Sequence, residues 1–121
     1  MNYCCFYPRE YYLDTVYLYK VNYEKMAIQS FSEKETEKFF ISGKFNKGTG
    51  WASVSNIVKR KLDMLHYATR LDDLKAPPGN KLEELKGNLE GFYSIRINER
   101  WRIIFRWKEG GPSHVRIIDY H

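Results

Sequence analysis

The sequence predicts an α+β fold in which an N-terminal strand is followed by two helices, packed on one face of an antiparallel sheet. Apolar residues recur at helical spacing in the first half of the chain, whereas from Phe92 onward they alternate with polar residues, as on strands. The segment 76–79, Ala-Pro-Pro-Gly, separates the two patterns because proline interrupts helices. Helices followed by a run of strands are typical of α+β domains.

The segment that precedes the first helix predicts a short strand through Ile28 and Phe31. Ser32 is a predicted N-cap for a helix that begins at Glu33, and Glu35 stands at the position of its reciprocal partner in a capping box. Three glycines within 43–50 indicate a loop.

A second helix is predicted to begin near Ser53 or Ser55. Its apolar residues recur at helical spacing and so form a stripe along one side of the helix, and most of the charged residues of 59–63 lie outside this stripe. The stripe comprises Ile57, Val58, Leu62, Leu65 and Ala68. The Pro-Pro-Gly segment is then expected to end helical structure outright.

At least three antiparallel strands are predicted after that break, at 92–98, 101–107 and 115–120. The short link 98–100 suits a hairpin, and 109–113 is typical of a turn. On the middle strand the aromatic residues share a face with Ile103, whereas Arg102, Ile104 and Arg106 share the other face.

Composition limits the class of protein. The chain has 121 residues and is 43% hydrophobic, which suits one domain with a core that needs no disulfide or metal. No run of about 18 apolar residues occurs, so no membrane-spanning helix is expected. The cysteines, Cys4 and Cys5, are adjacent and cannot form a disulfide framework, which favours a reduced, cytoplasmic location. The net charge of +5 suits an anionic partner such as nucleic acid.

The first 25 residues differ from the rest. They hold seven of the ten tyrosines, and their basic and acidic residues balance, so that 26–121 carries the whole net charge of +5. Met26 is a second possible start of translation. We therefore expect 1–25 to be a Tyr-rich extension or an upstream-start artefact, and 26–121 to be the functional domain. The alternative is a binding arm whose aromatic rings stack on bases.

Familiar catalytic and cofactor motifs are missing. The sequence has no P-loop, no GxGxxG and no nucleophile elbow, and its three histidines match no metal-ligand spacing. No metal and no cofactor are therefore expected.

Basic residues are instead predicted to gather on one face of the sheet. Side chains on adjacent antiparallel strands converge, and guanidinium groups offer phosphate a planar, bidentate set of donors. The predicted RNA-binding set is Lys81, Arg96, Arg106 and Arg116, near Lys86 and Arg102. The alternative is an ordinary solvated face.

The closing residues Asp119-Tyr120-His121 suggest chemistry. RNA cleavage needs a base for the ribose 2′-OH, an acid for the leaving 5′-oxygen and positive charge on the phosphorane. Tyrosine and histidine can transfer those protons, while lysine and arginine supply the charge. A terminal histidine is otherwise usually inert surface.

The segment 85–121 resembles the bacterial HigB toxins of the RelE/ParE superfamily, and the resemblance extends over about 26–121. Its distinguishing residues are Leu85-Lys86-Gly87, Gly91 followed by an aromatic residue, Ser94-Ile95, Trp101-Arg102-Ile103 and Asp119-Tyr120-His121. Upstream, Phe31, Glu35-Thr36-Glu37-Lys38 and Leu71-Asp72-Asp73-Leu74 before Pro77-Pro78-Gly79-Asn80 agree with it.

The resemblance implies a small RelE/ParE-like fold and the toxin of a type II toxin–antitoxin system. Such toxins are metal-independent endoribonucleases that enter the A site of the 70S ribosome and cleave mRNA during translation. The implied partners are a HigA-like helix-turn-helix antitoxin and, through the toxin–antitoxin complex, operator DNA.

The resemblance also implies roles for individual residues. Lys86 and Arg102 would bind and stabilise the scissile phosphate, and Asp119, Tyr120 and His121 would form a C-terminal catalytic group. Some family members place a histidine two residues before the leucine of the Leu-Lys-Gly motif. Here that residue is Glu83, which would be a general base or ordinary surface.

Two other functions remain open at this point. One is a ParE-like inhibitor of DNA gyrase, against which the Tyr–His end argues. The other is a non-catalytic nucleic-acid-binding module, for which the mixture of aromatic and arginine side chains alone would suffice.

Overall fold

Two α-helices and four strands follow one another along residues 27–120, which are the residues that the computed structural model describes. The helices are α1 (Lys34–Ser42) and α2 (Ser55–Tyr67). The strands, which are antiparallel and adjacent in chain order, are β1 (Glu83–Glu84), β2 (Tyr93–Arg96), β3 (Trp101–Lys108) and β4 (Gly111–Asp119). The predicted α+β fold is confirmed. The predictions for 1–25, Met26 and His121 lie outside the described residues.

The helices pack on one face of the sheet because they present apolar stripes to it. On α2, Val58, Leu62 and Leu65 are fully buried, at the spacing of one helix side. They share one hydrophobic core with Phe39 of α1 and with the strand residues Ile95, Ile103, Phe105, Val115 and Ile117. Each fully buried side chain of this size stabilises the fold by about 1.5–3 kcal/mol. One face of the sheet therefore forms part of the core.

The predicted first strand is reduced to a single bridge. Phe31 forms an isolated parallel bridge with Val115 of β4, and the Ser32 N–H donates to the Val115 carbonyl at 2.9 Å. Because α1 begins at Lys34, the segment leaves the sheet edge before a ladder extends. Pro112, earlier on β4, also lacks the N–H that a longer ladder would need.

The predicted cap of α1 is wrong. The N-cap is Glu33 rather than Ser32, and no side chain makes a capping hydrogen bond there. Thr36 Oγ1 donates to Glu33 Oε1 at 3.0 Å, and Glu35 accepts a hydrogen bond from Thr49. Ser32 and Glu35 fail to pair because the backbone of Ser32 is tied to β4 and the carboxylate of Glu35 is bonded to the following loop.

The glycine loop and the second helix lie where the sequence places them. Gly43 ends α1 in a left-handed conformation, with φ of 78°, and its N–H donates to Phe39 O at 2.8 Å. α2 begins at Ser55, one of the two predicted starts. Within residues 27–120, no helix has the length and apolar character needed to cross a membrane.

The Pro-Pro-Gly segment does not end helical structure outright, because Pro78–Asn80 forms one 3₁₀ turn. Asn80 is fully buried and its amide donates to Leu74 O at 3.0 Å, while Lys61 of α2 donates to its side-chain oxygen. Lys61 is therefore buried, against the expectation that it lies off the buried stripe, and desolvation followed by the nearby Arg60 charge lowers its pKa. This network ties the 74–80 segment to α2.

His66 makes folding stability depend on pH. Its Nδ1 accepts the Ile28 N–H at 3.3 Å, and its ring centroid lies 5.1 Å from that of Phe40. Burial lowers its pKa from 6.5 to about 4, with Asp63 opposing that shift and Lys59 adding to it. The unfolded chain therefore binds the extra proton between those two values, so stability falls as pH falls through this window.

We expect the free energy of unfolding to be about 2 kcal/mol lower at pH 5 than at pH 7 through this one group. Urea denaturation at the two pH values measures it. His66→Gln is the matched control, since it keeps an acceptor but does not titrate, and it is expected to lose this part of the difference. An equal pH difference in His66→Gln would contradict the assignment.

Candidate active site

The second face of the sheet, opposite the core, carries the predicted arginines. Because Ile95, Ile103 and Ile117 lie in the core, their strand neighbours point to the other side. The cross-strand partners there are Arg96 with Arg102, Arg102 with Ile118, Ser94 with Ile104, and Ile104 with Arg116. We call this surface, formed by Ser94, Arg96, Arg102, Ile104, Arg116 and Ile118, the arginine face. The predicted gathering of arginines on one face is thus present for Arg96, Arg102 and Arg116.

Arg102 lies at the centre of a cluster of polar side chains. Its Nη1 donates to Ser94 Oγ at 3.0 Å and lies 3.3 Å from Glu83 Oε1. Its guanidinium carbon is 4.8 Å from the centroid of the Tyr120 ring, and the Tyr120 hydroxyl donates to Glu83 Oε1 at 3.4 Å. We call Glu83, Ser94, Arg102 and Tyr120 the Arg102 cluster. It brings together three of the predicted site residues from β1, β3 and the chain after β4.

Sheet register explains why these residues meet. Glu83 of β1 is the direct partner of Ser94, and Ser94 is the direct partner of Ile104. Arg102 precedes Ile104 by two residues on the same face, so its long side chain reaches Ser94 diagonally. Its side chain is 13% exposed, which strengthens its charge interactions relative to those of a solvated arginine.

Asp119 is the last residue of β4 and is paired with Arg100 of the turn before β3. Its Oδ2 accepts bonds from Nε and Nη2 of Arg100, both at 2.9 Å. This hydrogen bond, followed by the charge of Asp119, raises the pKa of Arg100. Arg100 O also accepts the Tyr120 N–H at 2.6 Å, so the hairpin turn before β3 holds the segment that carries Tyr120.

Three other predicted basic residues, Lys81, Lys86 and Arg106, lie outside the Arg102 cluster. Arg106 stacks over Phe92, with its guanidinium carbon 4.6 Å from the ring centroid. Gly91 leaves room for that stack, since a Cβ there would lie 3.3 Å from Arg106 Nη1. Lys81 and Lys86 are exposed on the connections before and after β1.

A bulge on β4 bends the sheet next to the arginine face. Ile104 pairs with Arg116 but Arg106 pairs with Ser113, so β4 has one more residue than β3 over this stretch. His114, in the bulge, has a φ of 54°. Bulges increase the local twist and re-aim side chains. Because β3 itself is continuous, Arg102 and Arg106 keep the predicted alternation.

Sequence reasoning missed Ser94 as a member of the cluster. The sequence analysis named it only within the Ser94-Ile95 element of the family resemblance, and a single serine in a strand does not indicate a partner. Its hydrogen bond depends on the β2–β3 register, which a single sequence does not reveal. Among residues 27–120, no group of three or more His, Cys, Asp or Glu side chains is arranged to hold a metal ion.

Comparison with known proteins identifies the family. Residues 29–121 match the family model described as the RelE-like toxin of type II toxin-antitoxin system HigB. The chain is 41% identical to Toxin HigB-1 of Vibrio cholerae over 85 residues, which are 70% of this chain and 87% of that protein. It is 33% identical to Endoribonuclease HigB of Proteus vulgaris over 94 residues, which are 78% of this chain and 99% of that protein.

A solved structure with a similar arrangement is the YoeB-YefM complex from Staphylococcus aureus. Its TM-score is 0.49 at 19% sequence identity, and the match covers 79% of this chain and 97% of that one. The matches to the family model and to the two HigB proteins are the ones that decide the family. This chain belongs to the HigB family of RelE-like toxins of type II toxin–antitoxin systems.

Proposed function

We propose that this toxin is a metal-independent endoribonuclease that cleaves mRNA in the A site of the 70S ribosome and so inhibits translation. The observation that carries the proposal is the Arg102 cluster, in which a guanidinium group, a carboxylate and a phenol meet within hydrogen-bonding distance. The identity with a relative named an endoribonuclease supports it.

The Arg102 cluster, together with Lys86, Asp119 and His121, is proposed to supply groups for each task of RNA cleavage. Arg102 and the exposed Lys86 offer positive charge to the phosphorane, which is the kind of electrostatic stabilisation that contributes most to such reactions. Tyr120 and His121 are the proposed proton-transfer groups, and Asp119 completes the C-terminal catalytic group by holding that segment through Arg100.

Glu83 has two possible roles in this cluster. As a general base it would take the proton of the ribose 2′-OH, and its Oε1 already accepts a hydrogen bond from Tyr120. As an anion it would hold Arg102 in place in the free toxin and yield that position to phosphate. Its exposed fraction of 46% suits a side chain that moves when RNA binds.

The basic residues around the cluster are the proposed RNA path. Arg96 and Arg116 belong to the arginine face, and Arg106 lies on Phe92 with a guanidinium plane of the kind that stacks on bases. Lys81 extends the positive charge beyond β1. The proposed cellular partners are a HigA-like helix-turn-helix antitoxin and, through the complex, operator DNA, and the proposed location is the cytoplasm.

A ParE-like inhibitor of gyrase and a non-catalytic RNA-binding module are the competing functions. The Tyr120 hydroxyl distinguishes them from cleavage, since neither needs a phenol beside the arginine. Induced expression in bacteria, followed by mapping of mRNA 5′ ends, tests the proposal. We expect new ends within translated codons for the natural chain and not for Arg102→Ala. Growth arrest without new mRNA ends, accompanied by gyrase inhibition, would contradict it.

The functional domain is proposed to begin at Met26. Deletion of 1–25 is expected to leave growth arrest and its neutralisation by antitoxin unchanged, because the family match begins at residue 29 and the net positive charge lies beyond residue 25. Colony counts after induction of both forms measure this. A folded 26–121 protein that no longer arrests growth would refute this boundary.

A further inference from the structure

Ser94 is a polar residue of the Arg102 cluster to which the proposed mechanism assigns no role. It lies on β2 of the arginine face and is fully buried, although a serine hydroxyl gains no stability from burial unless it is hydrogen-bonded. Its Oγ accepts a hydrogen bond from Arg102 Nη1 at 3.0 Å. The hydroxyl therefore lies in the interior and contacts the proposed phosphate-binding group, Arg102, directly.

The two partners of Arg102 Nη1 differ in burial. Glu83 Oε1, at 3.3 Å, belongs to a side chain that is 46% exposed to solvent. Ser94 is short, buried and fixed by the pairing of β2 with β1 and β3. An incoming phosphate competes with the Glu83 carboxylate for the guanidinium group, whose other N–H donors remain available while Nη1 is bonded to Ser94.

We propose that Ser94 is a positioning residue that sets the orientation of the Arg102 guanidinium plane before RNA binds. The inference rests on the proposed ribonuclease function and deepens it. A guanidinium group has five N–H donors in a fixed planar arrangement. Holding Nη1 from the sheet side therefore fixes where the remaining donors point, and only some orientations allow a two-bond contact with the non-bridging oxygens of the scissile phosphate.

The test is single-turnover cleavage of ribosome-bound mRNA by the full chain. Messages carry one phosphorothioate, of either Rp or Sp configuration, at the mapped cut site. Each diastereomer replaces a different non-bridging oxygen by sulfur and so weakens a different one of the two guanidinium contacts, so the natural protein is expected to cleave the two diastereomers at different rates. Ser94→Ala removes one oxygen atom and is expected to fold normally while its Arg102 loses orientation.

We expect Ser94→Ala to slow cleavage of the unmodified message by about 10- to 100-fold, in the range of other small misplacements of catalytic groups. Its Rp-to-Sp rate ratio is expected to move towards one. Ser94→Thr, which keeps a hydroxyl, is expected to show the ratio of the natural protein. Thr36→Val is the matched control, because it removes a buried hydroxyl from α1 that bonds to Glu33 instead. It is expected to leave the ratio unchanged.

The outcomes separate the two levels of the argument. If the natural chain cuts the message, Arg102→Ala is impaired and Ser94→Ala keeps both the rate and the diastereomer ratio, the positioning role is refuted while the ribonuclease function stands. If the natural chain makes no cut, both are refuted. A ratio that moves equally in Ser94→Ala and Thr36→Val would also overturn the inference, because it would mark a general loss of rigidity.

Discussion

Arg102→Ala is expected to reduce ribosome-dependent cleavage by about 10²–10³-fold, the cost typical of removing one preorganised donor from a developing anion. The Arg102 side chain lies against those of all three other members of the Arg102 cluster: Ser94, Glu83 and Tyr120. Its loss removes the proposed phosphate ligand and leaves Glu83 without its cation. Single-turnover rates on a defined message measure the effect.

The matched control for Arg102→Ala is Arg116→Ala. Arg116 lies on the same face but pairs across the sheet with Ile104, outside the cluster. We expect a loss below about 10-fold there, because a phosphate contact away from the reaction contributes to binding and not to the transition state. Arg102→Lys is expected to fall between the two, since it keeps the charge and loses the planar donor set. Near-normal cleavage by folded Arg102→Ala would contradict the proposal that the Arg102 cluster is the catalytic centre.

Tyr120→Phe is expected to reduce the rate of cleavage by about 10²-fold or more, as is typical for removal of a proton-transfer group. The change deletes only the hydroxyl that donates to Glu83 Oε1 at 3.4 Å. It keeps the ring whose centroid lies 4.8 Å from the Arg102 guanidinium carbon, so the packing of the cluster is preserved. Binding of a message with a 2′-deoxy residue at the cut site should therefore be unchanged.

The control for this change is Tyr67→Phe, which removes a phenolic hydroxyl from an exposed tyrosine on α2, across the molecule from the arginine face. It is expected to have no effect on cleavage. If Tyr120→Phe also cleaves at the natural rate, the phenol is not a proton-transfer group, and that role passes to His121 or Glu83.

Among the strands β3 was predicted best, whereas β1 was not predicted and β4 begins at Gly111, inside the predicted turn 109–113. The alternation over 101–107 predicted β3 to within one residue of the observed Trp101–Lys108, because one face of this strand is buried and period-two patterning follows from that burial. The helix start at Ser32 was less predictable. Capping motifs are local, and the tertiary hydrogen bond of Ser32 to β4 outweighs them.

The candidate site was predictable in its residue types and not in its contacts. The family resemblance indicated Glu83, Arg102 and Tyr120, and the structure brings them together. Lys61 and Ser94 were missed for the same physical reason. A polar residue is tolerated in the interior when a specific partner satisfies it, and Asn80 and Arg102 are partners that only the folded chain supplies.

Cleavage of mRNA in a translation system reconstituted from purified components tests the central claim most directly. The natural chain, Tyr120→Phe and a form that lacks His121 would be compared on one message, with and without ribosomes, and every cut mapped to its codon. We predict cuts by the natural chain at codon positions, only when ribosomes are present, and strong reduction in both variants. A folded natural chain that leaves the message intact on translating ribosomes would contradict the claim.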